Sequence, residues 1–157
     1  MCKTHVNRKG ISPVIATVII VAVTITVAVA ISFWMGGVAS LYTRFEKLEI
    51  TYATVSSDTN GWTITLKVKN TGSADTKIDD ILLNGVTIRD VSGAKLNGNN
   101  VTGSISISLN SGSEATITVF IPENAKMGSS TATSGLSLEL KLHTSGGKEY
   151  PKILTLP

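Results

Sequence analysis

Hydrophobic and polar residues follow different patterns in the two parts of this chain. Residues 10–43 contain no charged side chain, and residues 11–35 are apolar around the whole circumference of a helix rather than along one stripe. A helix of 25 residues extends about 37 Å, enough to cross the hydrocarbon core of a bilayer. The pattern therefore predicts a hydrophobic helix over residues 11–47, whose last turns are more polar.

From residue 48 onward apolar and polar residues alternate, as is typical of strands with one buried face. Asn-Gly and Gly-Gly pairs separate the runs, and Asn84-Gly85 predicts a two-residue hairpin. Seven or eight strands at this spacing predict an antiparallel β-sandwich. The predicted inward residues of four runs are Trp62, Ile64, Leu66 and Val68; Ile105, Ile107 and Leu109; Ala115, Ile117, Val119 and Ile121; and Leu136, Leu138, Leu140 and Leu142.

The predicted fold class is α+β, with a long N-terminal hydrophobic α-helix followed by an Ig-like antiparallel β-sandwich head over residues 48–157. Ser12 is a favourable N-cap, and Pro13 suits the first helical turn because its missing N–H leaves no helical hydrogen bond unmade. Gly36 and Gly37 are predicted to act as a hinge that joins the helix to the head and fixes its tilt.

Charge and cysteine content narrow the function classes. The net charge of +3 comes from Lys3, Arg8 and Lys9, and the rest of the chain is balanced. A neutral body with 5% aromatic residues offers no electrostatic footprint for nucleic acid. The only cysteine, Cys2, precedes the apolar run, so the body can form neither an internal disulfide nor a thiolate metal site. A lipid-modified cysteine would have to follow the run, which argues against a lipoprotein.

The sequence Arg8-Lys9-Gly10-Ile11-Ser12-Pro13-Val14-Ile15-Ala16-Thr17 resembles the class III signal peptide of archaeal type IV pilins. Residues 68–73 also resemble segments in the heads of archaeal pilins and archaellins. The resemblance implies that residues 1–10 are a leader, which a prepilin peptidase removes by cutting after Gly10, so that Ile11 becomes the N-terminus. Bacterial pilins usually carry a glutamate where this chain has Ile15, so the pairing that such a glutamate makes is not available here.

The resemblance implies an extracellular filament on the cell surface, built from a precursor held in the cytoplasmic membrane. It also implies a homopolymer and three further partners: the prepilin peptidase, an assembly ATPase and a membrane platform protein. Twelve Val and Ile residues lie between Ile11 and Ile31, and exposing them to water would cost on the order of 18–36 kcal/mol. A filament core could cover them as well as lipid does. The residues expected in that core are Ile11, Val14, Ile15, Val18, Ile19 and Val21.

No catalytic, metal or cofactor motif emerges from the sequence, and we expect no enzyme and no cofactor. His143 is expected on the polar face of a strand as a solvated residue without a partner nucleophile motif. Asp79 and Asp80 should point to opposite faces of their strand, which disfavours a shared metal ion. Asn100 begins the only Asn-x-Ser/Thr sequon, so it is the candidate for N-glycosylation.

Three functions follow from these patterns. The favoured one is a structural subunit of an archaeal type IV pilus that serves adhesion. An archaellin-like subunit of a motility filament would share the leader and the sandwich. A single-pass membrane protein whose sandwich binds a ligand or an envelope component would keep its leader and require detergent. An anchored enzyme has no motif in its favour.

Overall fold

The computed structural model describes residues 13–157, apart from the side chains of Leu41 and Tyr42. The chain divides after Thr43, and the second compact unit is Arg44–Pro157. The predicted leader and the residues Arg8, Lys9, Gly10, Ile11 and Ser12 lie outside the described part.

The N-terminal element is one helix, α1 (Pro13–Thr43). Its segment Pro13–Ser40 is long and apolar enough to cross a membrane, judged by length and composition only. Four hydroxyl side chains within α1 are bonded to the helix itself. The hydroxyl groups of Thr17, Thr24, Thr26 and Ser32 donate to the backbone oxygens of Val14, Ile20, Ala22 and Ala28 at 2.7–2.8 Å. These bonds satisfy each hydroxyl without a partner from outside the helix.

The helix ends at Thr43, four residues earlier than the sequence predicts. Residues 44–47 are not helical, and Leu48 begins the first strand. The helix runs through Gly36 and Gly37 and ends where charged residues return at Arg44. The predicted boundary between helix and head at residues 47 and 48 is therefore corrected to residues 43 and 44.

Twelve strands follow among the described residues, several of them only two residues long. They are β1 (Leu48–Asp58), β2 (Gly61–Asn70), β3 (Thr76–Leu83), β4 (Val86–Thr87), β5 (Lys95–Leu96), β6 (Asn99–Asn100), β7 (Ile107–Leu109), β8 (Glu114–Pro122), β9 (Lys126–Met127), β10 (Ser130–Thr131), β11 (Ser137–Thr144) and β12 (Glu149–Thr155). Asn84 and Gly85 connect β3 to β4 with φ of 49° and 83°, as the predicted two-residue hairpin requires.

The strands form two main antiparallel sheets and one small hairpin, β9–β10. The first sheet has the order β1-β2-β8-β5-β6 and the second the order β12-β11-β3-β4, with β7 also paired to β3. Strands β1, β2, β8 and β5 occupy the places of strands A, B, E and D of an immunoglobulin constant domain, and β3, β11 and β12 those of C, F and G. This order confirms the predicted antiparallel sandwich and its Ig-like arrangement.

Alternate side chains of both sheets fill one hydrophobic core. Among the residues predicted to point inward, Ile107, Ala115 and Leu136 are only half-buried and pack against the rim of this core. The others are buried, and they are Trp62, Ile64, Leu66, Val68, Ile105, Leu109, Ile117, Val119, Ile121, Leu138, Leu140 and Leu142. The indole N–H of Trp62 donates to the backbone oxygen of Pro157 at 2.9 Å and so holds the C-terminus on the sandwich.

Candidate functional site: the apolar helix and the first residues of the head

The apolar side chains of α1 are uncovered within the chain. The residues predicted to form a filament core are between 54% and 69% exposed: Val14, Ile15, Val18, Ile19 and Val21. The sixth residue predicted for that core, Ile11, lies outside the described residues. A well-packed soluble domain would bury most of this surface. The helix can therefore be stable only in lipid or against apolar surface from another molecule.

The uncovered surface surrounds α1 rather than forming one stripe. The valine and isoleucine residues from Ile20 to Ile31 are 49–64% exposed, and they lie on every side of the helix. One shallow groove of about 380 Å³ runs along it, lined by Thr17, Val18, Val21, Ala22 and Ile25. An interface with a single partner helix would need only one stripe, whereas lipid or a bundle of several helices would cover the whole circumference.

Gly36 and Gly37 lie inside α1, and a Cβ atom built on either would meet no atom within 4 Å. The chain itself therefore does not require glycine at these two positions for lack of space. The helix continues through them to Thr43, so a hinge here would have to be a bend within the helix. The hinge role stays a prediction.

The residues that follow the helix are bonded to the head at several points. The backbone oxygen of Phe45 accepts from the N–H groups of Ser73 and Ala74 at 3.0 and 3.2 Å, and its N–H donates to the Ser73 hydroxyl. The backbone oxygen of Lys47 accepts from the N–H groups of Thr71 and Gly72 at 2.9 and 3.1 Å. The loop between β2 and β3 therefore fixes the path by which the chain enters β1.

Glu46 lies between Phe45 and Lys47 and forms hydrogen bonds of its own with the head. The Thr76 hydroxyl donates to its carboxylate at 2.5 Å, and the ammonium group of Lys148 donates to its backbone oxygen at 2.7 Å. Lys148 lies in the turn between β11 and β12, so two separate loops hold the same short segment. We name residues 45–47, together with these partners, the junction clamp.

Two glycines make room for the junction clamp. A Cβ atom on Gly72 would lie 2.5 Å from the backbone oxygen of Phe45 and 2.6 Å from the backbone nitrogen of Lys47. A Cβ atom on Gly146 would collide with the carboxylate of Glu46. The sequence does not predict the clamp, because a local pattern cannot show which distant segment packs against a glycine.

His143 lies on the outer face of the second sheet, as predicted, but it has a partner. Its Nδ1 lies 2.7 Å from the Oδ1 of Asp79. The hydrogen bond with Asp79 raises the pKa of His143 above its ordinary value, and the negative charges of Asp79, Glu149 and Asp80 act in the same direction. His143 is thus a surface residue on the polar face, as predicted, and its bond with Asp79 links β11 to β3.

A bulge in β3 explains this pair. Asp80 lies opposite His143 in the register, and the next pair joins Ile78 to Thr144, so Asp79 is an extra residue. Ile78 and Ile81 are both fully buried, which leaves the two aspartates between them on the outer face. The prediction that Asp79 and Asp80 point to opposite faces is therefore wrong, because the bulge breaks the alternation.

Asp80 belongs to a separate pair. Its carboxylate accepts from the Thr87 hydroxyl and from the Arg89 guanidinium, both at 2.7 Å. Burial raises the pKa of Asp80, but the bonds from Thr87, Arg89 and the Ile81 N–H outweigh it and leave the pKa below its ordinary value. Each aspartate thus has its own partner, and residues 13–157 contain no group of three or more His, Cys, Asp or Glu side chains placed to hold a metal ion.

Asn100 is exposed at the end of β6, in the short β5–β6 hairpin at the edge of the first sheet. Asn97 and Gly98 form the turn of this hairpin, with φ of 49° and 81°. The sequon therefore begins at an exposed residue at the end of a short strand.

Comparisons with known proteins give structural likenesses but no family. No protein-family model and no curated protein matches this chain. Among solved structures, the chain is similar to one described as "Structure of Iho670 Flagellar-like Filament", with 13% sequence identity and a TM-score of 0.40. The alignment covers 92% of this chain and 98% of the other.

Proposed function

We propose that this chain is a structural subunit of an extracellular archaeal-type pilus that polymerises through α1 and serves adhesion. The proposed role involves no catalysis. The observation that carries it is the uncovered apolar surface around the whole of α1, with every described hydroxyl between residues 13 and 35 bonded within the helix. Such a helix is stable in a bilayer before assembly and in a bundle of identical helices afterwards, so that transfer between the two exposes little apolar surface to water.

The signal-like sequence at residues 8–17 supports the same proposal. Cleavage after Gly10 by a prepilin peptidase would leave the helix on the mature subunit and the Ig-like head outside the membrane. An assembly ATPase and a membrane platform protein would then drive extraction and packing of the helix. A single-pass anchored protein with a ligand-binding sandwich is the second candidate, because the same helix could simply remain in the membrane.

The N-terminal sequence of protein sheared from cell surfaces tests this proposal first. A pilus subunit should begin at Ile11 and sediment without detergent. A protein that begins at Met1 or Cys2 and stays in membranes would instead be the anchored binding protein.

The substitution Gly10→Val tests the cut site. It should block cleavage, because the valine side chain no longer fits a small-residue subsite of the peptidase. Normal filaments from this variant would contradict the predicted cut site.

The substitution Val18→Asp tests whether α1 lies in the filament core. Val18 is 62% exposed within the chain, and an aspartate there costs about 2.5–3.5 kcal/mol in an apolar helix environment. We expect filaments to be lost while the head stays folded. Ser108→Asp, at an exposed position of β7, is the matched control and should leave assembly unchanged. Filaments of normal abundance from Val18→Asp would mean that α1 is not in the core.

An adhesive pilus and a motility filament can be separated by phenotype. Cells that lack an adhesive pilus subunit should lose attachment to surfaces and keep swimming motility. Loss of swimming with normal attachment would identify the archaellin-like alternative instead.

A further inference from the structure

A row of side chains crosses the outer face of the first sheet and ends at the sequon. In the strand register, Thr63 on β2 lies opposite Phe120 on β8, Phe120 opposite Lys95 on β5, and Lys95 opposite Asn100 on β6. Residues directly opposite each other in antiparallel strands project their side chains to the same face. The neighbours of Phe120 along β8 are fully buried, so this face is the outer one.

The middle of this row borders a hollow of about 320 Å³, which corresponds to the volume of roughly ten water molecules. Its lining combines a half-buried aromatic ring, two hydroxyl groups, a carboxylate and an ammonium group, the last lying 6.0 Å from the centre of the ring. These groups offer an apolar surface together with donors and acceptors. The lining residues are Asp58, Thr63, Lys95, Gly98, Thr118 and Phe120.

A pyranose sugar has complementary chemistry, because its C–H faces are apolar and its edge carries hydroxyl groups. The sequon Asn100-Val101-Thr102 supplies a point at which such a sugar could be attached, and the side chains of Asn100 and Thr102 are both exposed. Asn100 is two strands away from Phe120, a distance of about 10 Å. The first sugars of a glycan on Asn100 would thus begin beside the hollow.

We infer that Asn100 carries an N-linked oligosaccharide whose first sugars pack into this hollow. The sugar faces lie on the ring of Phe120, and their hydroxyl groups bond to Asp58, Thr118 and Lys95. The attachment requires a sugar-phosphate donor carried on a membrane lipid, together with a transferase of the producing cell. The Asn100 amide nitrogen bonds to the anomeric carbon, the carbon–oxygen bond to phosphate breaks, the phosphate leaves with the electron pair, and one amide proton passes to the transferase.

Mass spectrometry of the full chain from producing cells tests the attachment. The peptide that contains Asn100 should carry added mass in the wild type, and both Asn100→Gln and Thr102→Ala should remove it. Two matched variants should keep it: Thr102→Ser, which preserves the sequon, and Asn99→Gln, which changes the neighbouring asparagine outside it. An unmodified Asn100 in the wild type would overturn the inference. That result would not contradict the filament proposal, because glycosylation of Asn100 depends only on export of the protein and not on its polymerisation.

Thermal unfolding tests the packing of the sugars. Loss of the glycan through Asn100→Gln should lower the Tm of the head by about 3 °C. The same substitution in a Phe120→Leu background should have less than half of this effect, because the ring that the sugar covers is absent. Thr118→Val is a nearly isosteric second background, in case Phe120→Leu unfolds, and it should weaken the effect by removing one hydroxyl partner. An equal Tm loss in all backgrounds would overturn the packing.

Discussion

At the scale of single residues, the pair formed by His143 and Asp79 makes the head sensitive to pH. Because the hydrogen bond with Asp79 raises the pKa of His143 in the folded state, protonated His143 stabilises the fold. This contribution is complete below the ordinary histidine pKa of about 6.5 and is lost as the pH rises through the higher folded-state value. We therefore expect the Tm of the head to fall between pH 5.5 and pH 8.5 more steeply in the wild type than in His143→Gln.

Measurement of Tm at several pH values in both proteins checks this expectation. Since the other titrating groups are shared, the difference between the two curves isolates His143. Asp79→Asn should flatten the wild-type curve in the same way, because it removes the carboxylate that stabilises the imidazolium. Parallel curves for wild type and His143→Gln would show that the pair contributes no pH dependence.

The sequence predicts which residues of a strand are buried only where apolar and polar positions alternate without interruption. The buried positions of β2, from Trp62 to Val68, follow from the period of two, because this central strand has no irregularity. In β3 the same rule places Asp80 on the wrong face, because one extra residue shifts everything after Ile78. A bulge depends on the pairing with β11, some 60 residues away, and the local sequence does not contain that information.

At the scale of elements, the sequence predicts the helix but does not predict the junction clamp. The hydrophobic helix could be predicted because its signal is continuous and 34 uncharged residues long, from Gly10 to Thr43. The sequence predicts the end of this helix four residues too far along, at residue 47, because the segment 41–48 has a pattern that also suits a helix. Hydrogen bonds from Thr71, Gly72, Ser73 and Ala74 draw residues 45–47 into an extended path instead, and these partners are distant in sequence.

The clamp gives a prediction about Gly72. In Gly72→Ala the added methyl group would meet the backbone of Phe45 and Lys47, neither of which can rotate away. We expect the free energy of unfolding of the head to fall by about 1–3 kcal/mol, measured by denaturant unfolding. Gly103→Ala is the control, since its Cβ atom would meet nothing within 4 Å, and its effect should stay within about 0.5 kcal/mol. Equal free energies of unfolding for the two variants would mean that the loop between β2 and β3 accommodates the methyl group without loss of stability.

At the scale of the whole molecule, the two units depend on different surroundings. The head buries its own core of 23 hydrophobic residues, whereas the apolar side chains of α1 remain uncovered in the isolated chain. The head should therefore fold without the helix, while the helix needs lipid or the apolar surface of another molecule. The clamp belongs to the head and not to the helix, and this places the functional boundary between Thr43 and Arg44.

Two fragments that differ by four residues test this boundary. A fragment of residues 44–157 should be a soluble monomer that unfolds cooperatively, because it retains both the sandwich core and the clamp. A fragment of residues 48–157 loses the partners of Thr71, Gly72, Ser73 and Ala74, as well as the carboxylate that Thr76 contacts. At about 1 kcal/mol for each hydrogen bond, with water replacing part of the loss, we expect it to be less stable by about 2 kcal/mol or more.

Calorimetry measures the Tm of both fragments, and we expect the 48–157 fragment to melt about 8 °C or more below the 44–157 fragment. A fragment of residues 41–157 is the matched control, because it adds three helical residues outside the clamp and should melt with the 44–157 fragment. If all three melted together, residues 45–47 would contribute nothing to the head, and the segment would be an ordinary linker. A drop confined to the 48–157 fragment means that residues 45–47 belong to the folded head, which then begins one residue after Arg44.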